Sequence, residues 1–149
     1  MKLTREMETN MKNREMKFRA YYQKVSDGKF IIEGEYSMAD LTDKGILFDQ
    51  ERIKWVQYTG LKDCQGREIY EGDILRTLNY FDYTEENKPV YLHHKVIYET
   101  ERGTYNAINV TNVSESLTTI GNCFLYVALK DPTIEVIGDI YTTPELLKP

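Results

Sequence analysis

The residues best suited to chemistry are two histidines, two cysteines and a group of carboxylates in the middle of the chain. His93 and His94 are adjacent, and neighbours on a strand face opposite sides, so they cannot share one metal ion there. They read as a surface pair on a strand. A zinc site needs closely spaced ligand pairs, whereas Cys64 and Cys123 stand alone and far apart. Cys64 with a histidine would be a nucleophile–base pair. A turn position alone does not lower a thiol pKa, however, so Cys64 reads as an ordinary thiol and Cys123, in an apolar run, as core. Glu68, Glu71 and Asp73 have the spacing for acid–base work or a magnesium site. Against that, Asp73 suits a turn carboxylate accepting backbone N–H groups, and the glutamates suit solvent. The chain has no phosphate-cradling glycine loop and no G-x-S-x-G elbow. No catalytic residue, metal site or cofactor is expected, and the chain reads as a non-enzyme.

Aromatic residues are the other resource, with 12 Tyr, 5 Phe and 1 Trp. Tyr21, Tyr22, Trp55, Tyr58, Tyr70, Tyr80, Phe81 and Tyr83 can stack on bases, but such platforms usually accompany a basic groove. The net charge is −5. Residues 1–17 hold five basic residues against three acidic ones, which leaves 14 against 21 for the rest. An acidic body is a poor general ligand for phosphate. Tyrosine favours strands first and interfaces second. The residues marked for interaction are Trp55, Tyr58 and Tyr70, with the motif carboxylates Glu71 and Asp73.

The elements that must position these residues are strands. Phe18–Val25 alternates in polarity, Asp27-Gly28 signals a hairpin, and Lys29–Glu33 returns. Residues 40–45 read as a loop, Ile46-Leu47-Phe48 as a short apolar run, and Ile53–Tyr58 as a strand. Asp63–Gly66 has the residues of a type I turn, and Glu71-Gly72-Asp73 marks a second turn. These turns should send Ile69 and Ile74 into a core. Strands follow at 74–81, 90–98 and 104–110, separated by loops at 83–89 and 111–116 and by a turn at 101–103. Thr133–Tyr141 is a last strand with Gly138 inside, a candidate bulge. Thr143 before Pro144 opens a terminal helical turn. Regularly spaced short strands indicate a barrel or sandwich. The charged N-terminus lacks the apolar stretch of a signal peptide, and no run is long enough to span a membrane, so the cytoplasm is expected, with reduced thiols and no disulfide.

Three blocks of this sequence resemble the YopX family of phage and prophage proteins. They are Asn13–Ala20; Gln57–Asp63 with Gly66 and Glu68–Ile74; and Glu135–Tyr141 with Pro144–Leu147. They occur in the family's order and span 13–147. Residues 1–10 precede the usual start, and Cys64 occupies a turn position that is often Lys or Asn. The resemblance implies no established enzymatic activity and an SH3-type small barrel in the C-terminal part. The reading is therefore a mainly β protein: an extension at 1–15, an N-terminal β region at 16–58, and a small barrel at 59–149 ending in a short helical turn. Its expected role is binding a host or phage protein, as a homo-oligomer, with nucleic-acid binding as the alternative and no membrane association.

Overall fold

The computed structural model describes residues 15–43, 51–83, 89–111, 123–125 and 129–147. The chain is mainly β. The strands are β1 (Lys17–Gln23), β2 (Phe30–Ser37), β3 (Ile53–Lys62), β4 (Glu68–Tyr70), β5 (Asp73–Tyr83), β6 (Pro89–Glu99), β7 (Thr104–Asn109), β8 (Cys123–Phe124) and β9 (Glu135–Asp139). One short helix, α1 (Met38–Asp43), follows β2, and a 3-10 turn, Pro144–Leu147, follows β9. Two antiparallel sheets form, in the orders β2-β1-β3-β4 and β8-β7-β6-β5-β9.

Each sheet covers its own apolar cluster, and β4 divides them. Successive strand residues face opposite sides. Ile69 therefore joins Leu75, Val96, Ala107, Leu125 and Ile134 in one core. Tyr70, the next residue, joins Tyr21 and Val56 in the other, beside Phe30, Tyr58 and Tyr141. Ile69 and Ile74 are fully buried, as the turn signals require. Burying one such aliphatic side chain contributes about 1.5–3 kcal/mol.

Both expected turns form. Gly66 and Gly72 have φ of 79° and 84°, a region that residues with a Cβ rarely enter. Between the register pairs Tyr58↔Tyr70 and Lys62↔Glu68, three β3 residues face one on β4. Thr59 fills that gap: its Oγ1 donates to Ile69 O (2.7 Å) and accepts from Leu61 N (3.2 Å). The register of β5 with β9 pairs Ile74 with Gly138 and Leu75 with Val136, so the bulged residue is Ile137, one before the glycine. Gly138 serves a close approach instead. A Cβ there would lie 2.1 Å from Thr143 Oγ1 and 2.8 Å from Leu146 Cδ1.

Three sequence expectations are corrected. The stretch at 40–45 was expected to be a loop, but Met38–Asp43 is helical. The signal is Ser37-x-x-Asp40, a capping box in which Ser37 Oγ accepts from Asp40 N (3.2 Å) and Asp40 Oδ2 accepts from Ser37 N (3.0 Å). His93 and His94 were expected to be a surface pair. Strand alternation instead sends His94 wholly inside, at 0% exposure, with Nε2 2.9 Å from Thr77 Oγ1. The loop expected at 83–89 is also shorter at both ends, because Tyr83 and Pro89 pair as strand residues. The apolar run at 46–48, the side chain of Cys123 and most of the expected extension at 1–15 lie outside the described residues.

Candidate interaction surfaces and the motif junction

The middle motif and its C-terminal counterpart meet at the seam between the sheets. Asp63 opens the β3–β4 turn. Its Oδ1 accepts from Gln65 N (2.9 Å) and Arg67 N (2.8 Å), and its Oδ2 accepts from Val136 N (2.9 Å), so one carboxylate shapes a turn and pins the start of β9. Asp139 closes β9 in the same way, accepting from Tyr141 N (2.8 Å), Thr142 N (2.7 Å) and Thr142 Oγ1 (2.6 Å). Gly72 O accepts from Ile140 N (3.0 Å) between them.

Asp73 is the third such carboxylate and lies at 0% exposure. Its Oδ2 accepts from Tyr70 N (2.8 Å), and its Oδ1 accepts from Arg19 Nη1 (2.9 Å), which arrives from β1. Arg19 Nε also donates to Glu35 Oε1 (3.0 Å) on β2, and its guanidinium carbon stands 4.0 Å from the Tyr70 ring centroid. Burial pushes the Asp73 carboxyl up to about 7, against the opposing pull of Arg19 and of Tyr70 N–H. That value would suit a general base, but both oxygens are engaged and the group is enclosed. Next to it, Tyr70 O–H donates to Glu68 Oε2 (3.0 Å), and Glu68 Oε1 accepts from Lys17 Nζ (2.7 Å). Burial raises the Glu68 carboxyl, yet the Lys17 and Tyr70 hydrogen bonds outweigh it and hold the group below its ordinary value.

The sequence-marked residues thus separate. Tyr70 and Asp73 are buried in the seam, Tyr58 is half-buried with its ring 5.5 Å from that of Tyr70, and Glu71 is half-buried in the β4–β5 turn. The structure does not gather Glu68, Glu71 and Asp73 into one acidic site, because Glu68 and Asp73 are bound to separate cations. Among the described residues, no group of three or more His, Cys, Asp or Glu side chains is placed to hold a metal ion. Cys64 is an exposed free thiol.

Trp55 lies elsewhere, 38% exposed on β3, with its ring 5.8 Å from that of Tyr36 in an edge-on contact. Ile31, Ile32 and Met38 are also exposed, on β2, the outermost strand of its sheet, and at the start of α1. The sequence reading missed these three, since Ile31-Ile32 reads as an ordinary return strand and nothing local marks it as an edge. A second feature is a groove of about 330 Å³, bordered by Tyr58, Tyr98 and Tyr105.

No helix among the described residues is long and apolar enough to cross a membrane. The family model described as YopX protein matches residues 4–148. Among solved structures, the protein EF1440 from Enterococcus faecalis is similar, at 23% identity over 89% of this chain and 98% of that one, with a TM-score of 0.48. No curated protein matches the chain. Since the family match runs through nearly the whole sequence, including all three motif blocks, the chain belongs to the YopX protein family.

Proposed function

We propose that this YopX protein is a non-enzymatic interaction module that docks a host or phage protein through the N-terminal sheet. One observation carries the reading: Ile31 on β2 and Trp55 on β3 expose large apolar side chains on one face of the N-terminal sheet, since they lie opposite Tyr22 and Ala20, alternate residues of β1. Tryptophan and other large side chains at the centre of a patch are the usual anchors of protein partners. The polar motif residues point the same way. Asp63, Asp73 and Asp139 already have both carboxylate oxygens hydrogen-bonded, to backbone N–H groups, to Thr142 Oγ1 and to Arg19. Five of the described cations are ion-paired internally: Lys17 to Glu68, Arg19 to Asp73, Lys24 to Asp27, Arg76 to Glu135 and Arg102 to Glu99. That pairing weighs against a phosphate-binding groove.

The test immobilises the whole chain and passes host lysate over it, with and without phage infection. A protein retained stoichiometrically by the native chain and lost with the double variant Trp55→Ala/Ile31→Thr supports the reading. Tight, saturable binding of DNA or RNA at physiological salt overturns it, as does retention that ignores both side chains.

A further inference from the structure

A sheet edge presents main-chain N–H and C=O groups to whatever lies beside it, and β2, β4, β8 and β9 are the edge strands among the described residues. Two of these edges are short, three residues in β4 and two in β8. The outer side of β9 is occupied by the β3–β4 turn. Asp63 Oδ2 accepts from Val136 N (2.9 Å), Arg67 Nη1 donates to Val136 O (2.8 Å), and Cys64 N donates to Ile134 O (3.1 Å), just before the strand. The edge of β2 is treated differently. It is eight residues long, and among the described residues the main chain of Ile31–Glu35 pairs with β1 alone. Beyond that stretch the chain closes the edge itself, since Ser37 N donates to Asp40 Oδ2 (3.0 Å) in α1.

Side chains along this edge are exposed and of two kinds. Ile31 and Ile32 are apolar, and Glu33 and Glu35 are acidic. The β1–β2 register runs from Ala20↔Gly34 to Tyr21↔Ile32, so Glu33 is a bulge residue with no partner on β1. Among the described residues no cation pairs with Glu33; its carboxylate accepts from Tyr36 O–H. Glu35 accepts from Arg19 Nε (3.0 Å), yet its side chain stays 47% exposed. Such an edge discriminates between occupants. Two β2 strands paired antiparallel about Gly34 would set Glu33 of each copy opposite Glu35 of the other, and like charges directly opposite are destabilising. A strand with Lys or Arg at those positions, and apolar residues beside Ile31 and Ile32, meets opposite charge and apolar surface instead.

We propose that the outer edge of β2 is a strand-addition site, where an extended basic segment of a partner polypeptide pairs main chain to main chain with Ile31–Glu35 and sets its cations against Glu33 and Glu35. The inference rests on the reading of the chain as a protein-interaction module, and it extends that reading from the side chains of the sheet face to the backbone at its margin. In this mode main-chain bonds supply the affinity and alternate side chains the specificity. The net charge of −5 draws the same class of segment towards the chain.

The experiment follows amide hydrogen exchange of the full chain, residue by residue, during titration with acetyl-Thr-Val-Lys-Val-Lys-Val-Thr-amide. One control peptide carries glutamate in place of lysine. The other is the lysine peptide N-methylated on its valines and lysines, which keeps the charge and side chains but loses those main-chain donors. Saturable slowing of exchange within Ile31–Glu35 is expected with the lysine peptide, with a response about tenfold weaker for the glutamate peptide and none for the N-methylated one. Glu33→Lys should weaken the response to the lysine peptide and strengthen that to the glutamate peptide. Trp55→Ala should leave the slowing unchanged, so failure of the sheet face and failure of the edge are separately visible. Absence of saturable slowing at Ile31–Glu35 overturns the proposal. So does equal slowing with either control peptide, or a charge preference that Glu33→Lys does not alter. Slowing that depends on chain concentration without any peptide assigns the edge to a second copy and overturns it as well.

Discussion

The seam between the two sheets and the outer strand of the N-terminal sheet use their residues in opposite ways. At the seam, sequence motifs are dense and nothing is left over: Asp63, Asp73 and Asp139 each satisfy two or three donors. On β2 the sequence carries no motif, yet Ile31 and Ile32 remain 44% and 50% exposed. Residues with a recognisable pattern are here the ones the fold consumes. A short chain with two small cores has little apolar area with which to fix their relative placement, so buried carboxylates and tight glycine turns carry that task. What remains for a partner is the surface on which local pattern says least.

The sharpest way to break this contrast is to remove Asp73. Asp73→Ala would leave Tyr70 N–H buried without its acceptor and take from Arg19 its buried counter-charge, with Glu35 and Tyr21 Oη as its remaining acceptors. Above pH 7, where Asp73 is ionised, losing one member of a buried ion pair costs about 3–5 kcal/mol. Urea titration should show that loss, or failure to fold. A loss under about 1 kcal/mol would mean that the seam is not the tie between the sheets. Gly138→Ala comes next. Its Cβ would strike Thr143 Oγ1, itself hydrogen-bonded to Asp139 N (2.9 Å) and Asp139 O (3.0 Å), so the terminal turn cannot yield easily. Overpacking of that kind costs about 1–3 kcal/mol, to be read from the same titration.

Two buried titratable groups give the seam and the main sheet opposite pH signatures. Burial raises Asp73 from 3.8 to about 7, so between those values the folded chain holds a proton that the unfolded chain lacks. Its contribution is full below the unfolded pKa and is lost as pH rises through about 7. Burial, with the nearby His93 charge second, lowers His94 from 6.5 to about 4, so there the unfolded chain holds the extra proton. That contribution is present above 6.5 and is lost as pH falls towards about 4. Across the shared window the two slopes oppose each other. His94→Gln should therefore uncover a stability that falls with rising pH, and Asp73→Asn one that rises, each by at most about 1.4 kcal/mol per pH unit. Stability–pH curves of both variants running parallel to the native curve would contradict these environments.

Much of this arrangement was legible in the sequence, and the gaps have physical causes. Asp63–Gly66 and Glu71-Gly72-Asp73 fixed both turns because each needs residues that few others can replace, and the Ile69 and Ile74 burial followed from them. The partition at β4 was not legible, since Tyr70 faces a second core built from β1 and β3, more than ten residues away. Arg19 had no local signal for the same reason: its partner Asp73 is 54 positions distant. His94 was misread because adjacency identifies opposite faces without saying which face is covered. The α1 cap, by contrast, has a plain local signal in Ser37-x-x-Asp40. Of the marked interaction residues, Trp55 stands at the surface and Tyr70 and Asp73 do not.

The smallest effect on stability belongs to the outer strand, and it sharpens the contrast most. Ile31 is 44% exposed, so replacing it removes little buried area. Ile31→Thr also keeps a β-branched side chain on a strand, the class that pleated surfaces favour. The expected change is within about 0.5 kcal/mol, as for surface positions generally. Trp55→Ala additionally loses the edge-on contact with Tyr36, worth about 0.5–1.5 kcal/mol. Neither should approach the cost of Asp73→Ala. The same two substitutions should abolish retention of the protein partner, since truncating a central anchor commonly costs 2 kcal/mol or more of binding, roughly thirtyfold in affinity. The two regions are then separable by measurement. Seam variants should lose folding and binding together, while variants of the exposed sheet face should fold normally and lose the partner. If Ile31→Thr and Trp55→Ala instead unfold the chain as Asp73→Ala does, that face is structural and its exposed side chains are not a docking face.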